Sequence, residues 1–251
     1  QLGHRPVSDE QIPVPDGFHV LIVGAGVSGM CTAINLKAAG VPFTILEKNP
    51  TVGGVWLENR YPGAGVDTPN HLYSYSFAMY DWSMFFALRD DLHGYLEHVA
   101  NEFHIKPHIR FDTAVNTAVY DEAEQRWDVN VTNADGASET LSGTILISAT
   151  GIFNPPVKPN IDGLAEFQGP SFHTAEWQDD VDLKDKKVAI IGNGASCMQI
   201  GPEIQNEVES LTIFQRSPHW AAPFAQFRRA VPDALRFMLR EVPLYQAWYR
   251  V

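Results

Sequence analysis

The sequence predicts an α/β protein built from two βαβ units, each the start of a three-layer parallel-sheet domain, with a small antiparallel β-meander inserted in the first. Two observations predict it. An apolar strand, a Gly-rich turn, a helix and a second apolar strand occur in that order at residues 18–47 and again at 187–216. Between them, residues 109–147 change to short alternating β segments around the turn signal Asn133-Ala134-Asp135-Gly136.

The elements follow in order. Residues 18–23 (FHVLIV) read as a strand, 30–39 as a helix stopped by Gly40, and 41–46 as a strand ending in Glu47. Residues 53–80 are rich in Gly, Pro and aromatics and have no period, which marks a long functional loop or a series of turns. Leu92, Leu96, Val99 and Phe103 give 90–103 helical spacing. Segments 109–111, 115–120, 127–132 and 140–141 form the expected meander, and 144–149 (TILISA) returns as a buried strand closed by Thr150-Gly151. The second unit has a strand at 187–191, a helix at about 195–206 and a strand at 211–215 followed by Arg216. Residues 232–249 read as a helix broken near Pro243, with an apolar side of Leu235, Met238, Leu239 and Val242. The expected division is a lead-in at 1–17, a first domain at 18–153, a linker at 154–178 and a second domain at 179–251.

Composition narrows the function. Hydrophobic residues make up 45% and charged residues 19%, within the range of globular proteins. A net charge of -12 disfavours nucleic acid or an anionic membrane surface as partner, because binding many phosphates needs a Lys/Arg excess. Cys31 and Cys197 are far apart, which excludes a disulfide framework and a Cys-x-x-Cys redox dithiol and fits a reduced, cytoplasmic enzyme. No apolar run reaches the ~18 residues of a membrane span, and the polar, Pro-rich start is not a signal peptide. His104 and His108 are four apart, but Pro107 spoils a helical pair of ligands, so no metal site is expected.

The turn Gly24-Ala25-Gly26-Val27-Ser28-Gly29 is the strongest chemical signal. Gly24 permits the tight turn, Gly26 lets backbone approach a pyrophosphate, and Gly29 lets the helix pack close to the sheet. The N–H groups opening the helix then face negative charge. Glu47, ending the second strand, can accept hydrogen bonds from an adenosine ribose. The competing reading is a structural turn with an incidental acid. The second turn, Gly192-Asn193-Gly194-Ala195-Ser196-Cys197, has Cys197 where the third glycine is expected. Arg216 is placed at the strand end that carries Glu47 in the first unit, where a guanidinium pairs with a 2′-phosphate that a carboxylate would repel. An acidic and a basic unit side by side point to FAD in the first and NADPH in the second.

The chain also resembles a known family. Phe167-Gln168-Gly169-Pro170-Ser171-Phe172-His173-Thr174-Ala175-Glu176-Trp177 fits the F-x-G-x-x-x-H-x-x-x-W fingerprint of Baeyer–Villiger monooxygenases, within the class B flavoprotein monooxygenases, and lies between the two Gly-rich turns as it does there. Gly53-Gly54-Val55-Trp56, the stretch from Arg60 through Tyr61 and Pro62 to Asp67, and Ala149-Thr150-Gly151 look like the same family. The run from Asp67 through Tyr73 to Phe77 is most similar to the 4-hydroxyacetophenone monooxygenase branch.

The resemblance implies roles. Gly54, Val55 and Trp56 would lie against the flavin, Tyr73 would hydrogen-bond FAD, and Asp67 would tune a catalytic arginine near the flavin ring. Val115 would meet the adenine through its backbone, and Ser28, Ala149 and Thr150 would complete the FAD contacts. Gly192, Asn193, Gly194, Ala195 and Ser196 would hold the NADP pyrophosphate, with Arg216 and Ser217 at the 2′-phosphate. His173 would fix the inter-domain linker by hydrogen bonding. The implied reaction uses NADPH and O2 to insert one oxygen atom beside a ketone carbonyl, through a C4a-peroxyflavin, and yields an ester or lactone. Nitrogen or sulfur oxygenation by a related enzyme, or a non-catalytic FAD-binding role, are the alternatives. The family's catalytic arginine and the strands completing both domains are expected in a C-terminal remainder beyond Val251, so the chain alone is expected to be inactive.

Overall fold

A computed structural model describes residues 13–153 and 155–250. Most of the lead-in, and Asn154 and Val251, therefore lie outside the described residues. The first unit opens with β1 (Val20–Val23), α1 (Val27–Ala38) and β2 (Phe43–Leu46). A short helix, α2 (Val55–Glu58), and a longer one, α3 (Arg89–Glu102), precede β3 (Ile109–Arg110). The meander β4 (Ala114–Asp121), β5 (Arg126–Thr132) and β6 (Ser138–Gly143) leads to β7 (Ile145–Ser148). The main sheet has the order β3-β2-β1-β7, and every pairing in it is parallel.

Strand alternation gives this sheet two different faces. Val20, Ile22, Phe43 and Ile45 point into the main core with Met30, Ala33 and Ile34 of α1 and Leu92, Leu96 and Val99 of α3. Leu21 and Leu46 point the other way, onto Val129 and Val131 of the meander. The layers are thus helices, parallel sheet and antiparallel meander. Each fully buried Val, Leu or Ile contributes about 1.5–3 kcal/mol, so β1 is held from both faces. The Lys37 ammonium donates to the carbonyls of Phe103 and His104, which satisfies the C-terminal end of α3 from α1.

One expectation is corrected. Residues 109–111 were expected in the meander, but Ile109 and Arg110 pair with Ile45 and Leu46 in the parallel sheet, and the Glu47 N–H donates to the Arg110 carbonyl at 3.0 Å. The meander proper is three-stranded, with the order β4-β5-β6. The helix also starts earlier than its apolar spacing shows, at Val27 directly after Gly26.

The second unit has β8 (Lys187–Ile191), α4 (Ala195–Ile204) and β9 (Ser210–Phe214), with β8 and β9 parallel. Ile200 and Ile204 of α4 form a core with Val188, Ile190 and Leu211, joined by Tyr61 and Ala64 from the first unit. The last segment returns to the first unit through α5 (Asp233–Glu241) and α6 (Tyr245–Tyr249). It is fixed there by backbone bonds from Phe85 N–H to the Arg229 carbonyl and from Val231 N–H to the Ser83 carbonyl. The Arg236 guanidinium grips both oxygens of Asp81, at 2.8 and 2.6 Å.

Candidate functional site

The C-terminal ends of β1, β2 and β7 place the first Gly-rich turn. Gly24 stands at φ +102, and its N–H donates to the Leu46 carbonyl at 2.8 Å. A Cβ on Gly24 would fall 2.8 Å from the Ala149 carbonyl oxygen, and one on Gly29 would fall 1.9 Å from the Gly24 oxygen. Both glycines are therefore required by packing within the unit. Gly26 caps α1 with no side-chain cap, so the first N–H groups of the helix remain available to an anion. The 53–54 turn crosses close over this one: Gly53 N–H donates to the Ala25 carbonyl, and a Cβ on Gly54 would lie 3.0 Å from Gly26 Cα.

Glu47 is buried, at 3% exposure. Its Oε2 accepts from Ala25 N–H at 2.6 Å and its Oε1 from Asn49 N–H at 2.9 Å. The acid is thus tied to the turn it serves, and a carboxylate with two oxygens keeps further acceptor capacity for hydroxyl donors. Thr113 N–H donates to the Glu47 carbonyl at 2.9 Å, which brings the start of β4, and with it Val115, alongside. Val115 turns its side chain onto the Leu21 and Val129 cluster, and a register shift follows it on β4. Ser28 is exposed in the first turn of α1, and Ala149 N–H donates to the Val23 carbonyl beside Thr150.

Trp56, Tyr73 and Asp67 come together. The Trp56 indole N–H donates to the Tyr73 hydroxyl at 3.1 Å, and the two rings meet edge to face at 5.6 Å. Burial raises the Tyr73 phenol above its ordinary pKa; the Trp56 hydrogen bond opposes this and the Asp67 charge adds to it. Val55 packs against the same core, while Asp67 itself is exposed. Sequence reasoning missed Tyr75, whose hydroxyl donates to the Val27 carbonyl at 2.5 Å and so ties the 67–77 stretch to the first turn of α1.

The second turn repeats the first in backbone detail. Gly192 stands at φ +108, its N–H donates to the Phe214 carbonyl at 2.8 Å, and Gly194 caps α4 as Gly26 caps α1. This register corrects the placement of Arg216. Val23 pairs with Leu46 and Ile191 pairs with Phe214, so the residue equivalent to Glu47 is Gln215, with Arg216 one residue beyond. The carboxylate position is therefore neutral and the guanidinium stands next to it. The Asn193 side chain donates to Gln215 Oε1 at 2.7 Å and to the Ser217 carbonyl at 2.9 Å, strapping the exposed segment 215–217 to the turn. Ala195 and Ser196 open α4. Cys197, in the place of Gly29, is buried.

The fingerprint residues divide. The His173 Nδ1 accepts from Ala175 N–H and caps a short 3-10 turn, a local role within the linker. Trp177 meets Phe172 edge to face and packs into the cluster of Tyr61, Ala64, Ile200 and Ile204. Phe167 is exposed, and Gly169 lies where a Cβ would strike the Phe167 ring. No cluster of His, Cys, Asp and Glu suited to a metal ion occurs among the described residues.

Fold and site together define a protein with two adjacent dinucleotide-binding units, joined by a linker whose tryptophan packs where the two units meet. The chain belongs to the flavin-binding monooxygenase-like family, whose profile matches residues 17–226. It is 46% identical over 242 residues to a monooxygenase of Sinorhizobium fredii, covering 96% of this chain and 37% of that one. It is 40% identical over 236 residues to a Baeyer–Villiger monooxygenase of Streptomyces coelicolor, covering 93% and 44%. Among solved structures, the OTEMO complex with FAD and NADP matches with a TM-score of 0.82 at 33% identity, covering 91% of this chain and 43% of that one. Oxidised steroid monooxygenase bound to NADP matches at 0.75 and 38%, covering 88% and 42%. The chain thus spans about two fifths of the length of these relatives. No helix among the described residues is long and apolar enough to cross a membrane.

Proposed function

We propose that this chain supplies the FAD-binding and NADPH-binding units of a cytoplasmic Baeyer–Villiger-type monooxygenase, which uses O2 to convert a small-molecule ketone to an ester or lactone. The observation that carries this reading is the place of Trp177. The last residue of the ketone-oxygenating fingerprint packs with Tyr61 and Ala64 of the first unit and Ile200 and Ile204 of the second. Relatives named Baeyer–Villiger monooxygenases support it.

The residues fit the two cofactors. The open N–H groups after Gly26 suit a pyrophosphate, and the doubly anchored Glu47 suits a ribose diol. The edge-to-face Trp56–Tyr73 pair offers apolar ring surface and one hydroxyl still able to donate, suited to the flavin, and Asp67 places a charge near it. At the second turn, Gln215 removes the charge that would repel a 2′-phosphate, and Arg216 and Ser217 supply donors for it. Held by these residues, FAD would supply the redox chemistry, namely hydride acceptance and O2 activation. The protein's own work is to hold the two dinucleotides in register and to keep water from the reacting atoms. The test is a product screen of the complete enzyme with NADPH against aryl and cyclic ketones. Esters or lactones are expected, and products confined to N-oxides or sulfoxides would overturn the reading.

A further inference from the structure

We infer that Tyr61 is a positioning residue that sets the second Gly-rich turn against the loop leading to Asp67, and so fixes how NADPH meets the flavin. The inference rests on the FAD and NADPH assignment above. It begins from a buried polar bridge between the two units. The Tyr61 hydroxyl donates to Gln199 Oε1 at 2.9 Å, and the Gln199 amide donates to the Gly65 carbonyl at 2.8 Å. Ser196, in the first turn of α4, directs its hydroxyl at the same Tyr61 oxygen from 3.4 Å. Tyr61 and Gln199 are only 8% and 7% exposed, so the Gln199 side-chain oxygen relies on the Tyr61 hydroxyl as its donor.

The location gives this bridge its consequence. Ser196 and Gln199 stand on α4, which opens at the turn assigned to the NADP pyrophosphate. Tyr61 and Gly65 stand on the loop that runs into Asp67, beside Tyr73. The two sides are in tight contact: a Cβ on Gly63, at φ +77, would lie 2.7 Å from the Gln199 carbonyl oxygen. A small shift between α4 and this loop would therefore move one dinucleotide relative to the other. Misplacing reacting atoms by about 1 Å can cost roughly a hundredfold in rate.

The hydroxyl is separable from the fold. Other contacts hold the loop in place without it. Arg228 donates to the Gly63 carbonyl and pairs with Glu203 of α4, and Arg60 pairs with Asp179. The Tyr61 ring also packs with Ala64, Ile200 and Ile204. Tyr61→Phe keeps that ring and removes the hydroxyl's bonds to Gln199 and Ser196, while the Gln199 to Gly65 bond stays.

The experiment is anaerobic stopped-flow reduction of the complete, FAD-loaded enzyme by NADPH. The step transfers a hydride, carrying two electrons, from NADPH to the flavin and leaves NADP⁺. Tyr61→Phe is expected to retain FAD and a cooperative melt lowered by only a few degrees, because the Gln199 oxygen is left without its donor, but to reduce roughly 10- to 100-fold more slowly at saturating NADPH. Deuterium at the transferred position of NADPH should show hydride transfer limiting the rate in the variant. Gln199→Met should give a similar loss, and the double variant should be no slower than either single one. Reduction of Tyr61→Phe at the wild-type rate, or additive losses in the double variant, would overturn the inference alone. Loss of FAD from Tyr61→Phe would assign the hydroxyl to folding and also overturn it. A wild-type flavin that NADPH fails to reduce would overturn the cofactor assignment and this inference with it.

Discussion

The Glu47 carboxylate reaches back from the end of β2 to accept a hydrogen bond from the Ala25 N–H at 2.6 Å, in a site only 3% exposed. The acid proposed to receive a ribose also braces the turn proposed to receive the pyrophosphate. Hydrogen bonds to charged groups contribute about 1.5–3 kcal/mol, against about 1 for neutral pairs. Glu47→Gln keeps the shape and loses the charge. The complete enzyme should then bind FAD roughly 10-fold more weakly, as read by titration of the apoprotein with FAD. Undiminished affinity would contradict the double role.

Gly29 offers a steric test. Its Cβ position lies 1.9 Å from the Gly24 carbonyl oxygen, which belongs to backbone and has little freedom to move. Gly29→Ala must push α1 away from the sheet, and overpacking of this kind costs about 1–3 kcal/mol. Thermal melting should show the loss. Gly194→Ala is the control in the second unit, because nothing lies within 4 Å of its Cβ position; it should melt near wild type.

The register of β8 and β9 predicts cofactor choice. With Gln215 at the acidic position and Arg216 beside it, NADPH is the expected coenzyme. Arg216→Ala should raise the KM for NADPH roughly 10- to 100-fold, the value of a charge-assisted phosphate contact, and leave NADH almost untouched. Gln215→Glu should restore the pattern of the first unit and turn the preference toward NADH. Steady-state kinetics with both nucleotides check this directly.

His71 makes stability depend on pH. It is 3% exposed, stacks edge to face on Tyr249, and its Nδ1 has no hydrogen-bond partner. Burial, aided by the nearby Arg250 charge, lowers its pKa from 6.5 to about 4. Folded His71 therefore stays neutral where unfolded histidine takes up a proton. Its contribution is fully present above pH 6.5 and is lost progressively as pH falls toward about 4. The shift sets an upper bound of about 3 kcal/mol on this contribution. His71→Leu should flatten the melting temperature across this interval, whereas an equally steep profile in the variant would assign the pH dependence elsewhere.

Local chemistry made much of this legible in the sequence. Gly24 to Gly29 and Glu47 belong to one short βαβ unit, so the turn and its acid could be read together. Trp56 and Tyr73 stand out through resemblance, and the structure joins them by a hydrogen bond. What escaped depends on pairing across distance. Ile109 and Arg110 are too short a strand to show a period, and their partners, Ile45 and Leu46, lie far back in the chain. Strand length alone leaves Arg216 one residue off, because only the pairing of Ile191 with Phe214 sets that register. The Tyr61–Gln199 bridge joins residues of two units far apart in the chain, and no local pattern marks either one as the other's partner.

The central claim is that the two turns serve FAD and NADPH in a ketone-oxygenating enzyme. Its most direct test is a single incubation of the complete enzyme with NADPH, a ketone and isotopically heavy O2, read by mass spectrometry. An ester or lactone carrying one heavy oxygen atom per NADPH consumed is the predicted result. Unchanged ketone in the presence of bound flavin, or a product with no heavy oxygen, would contradict it.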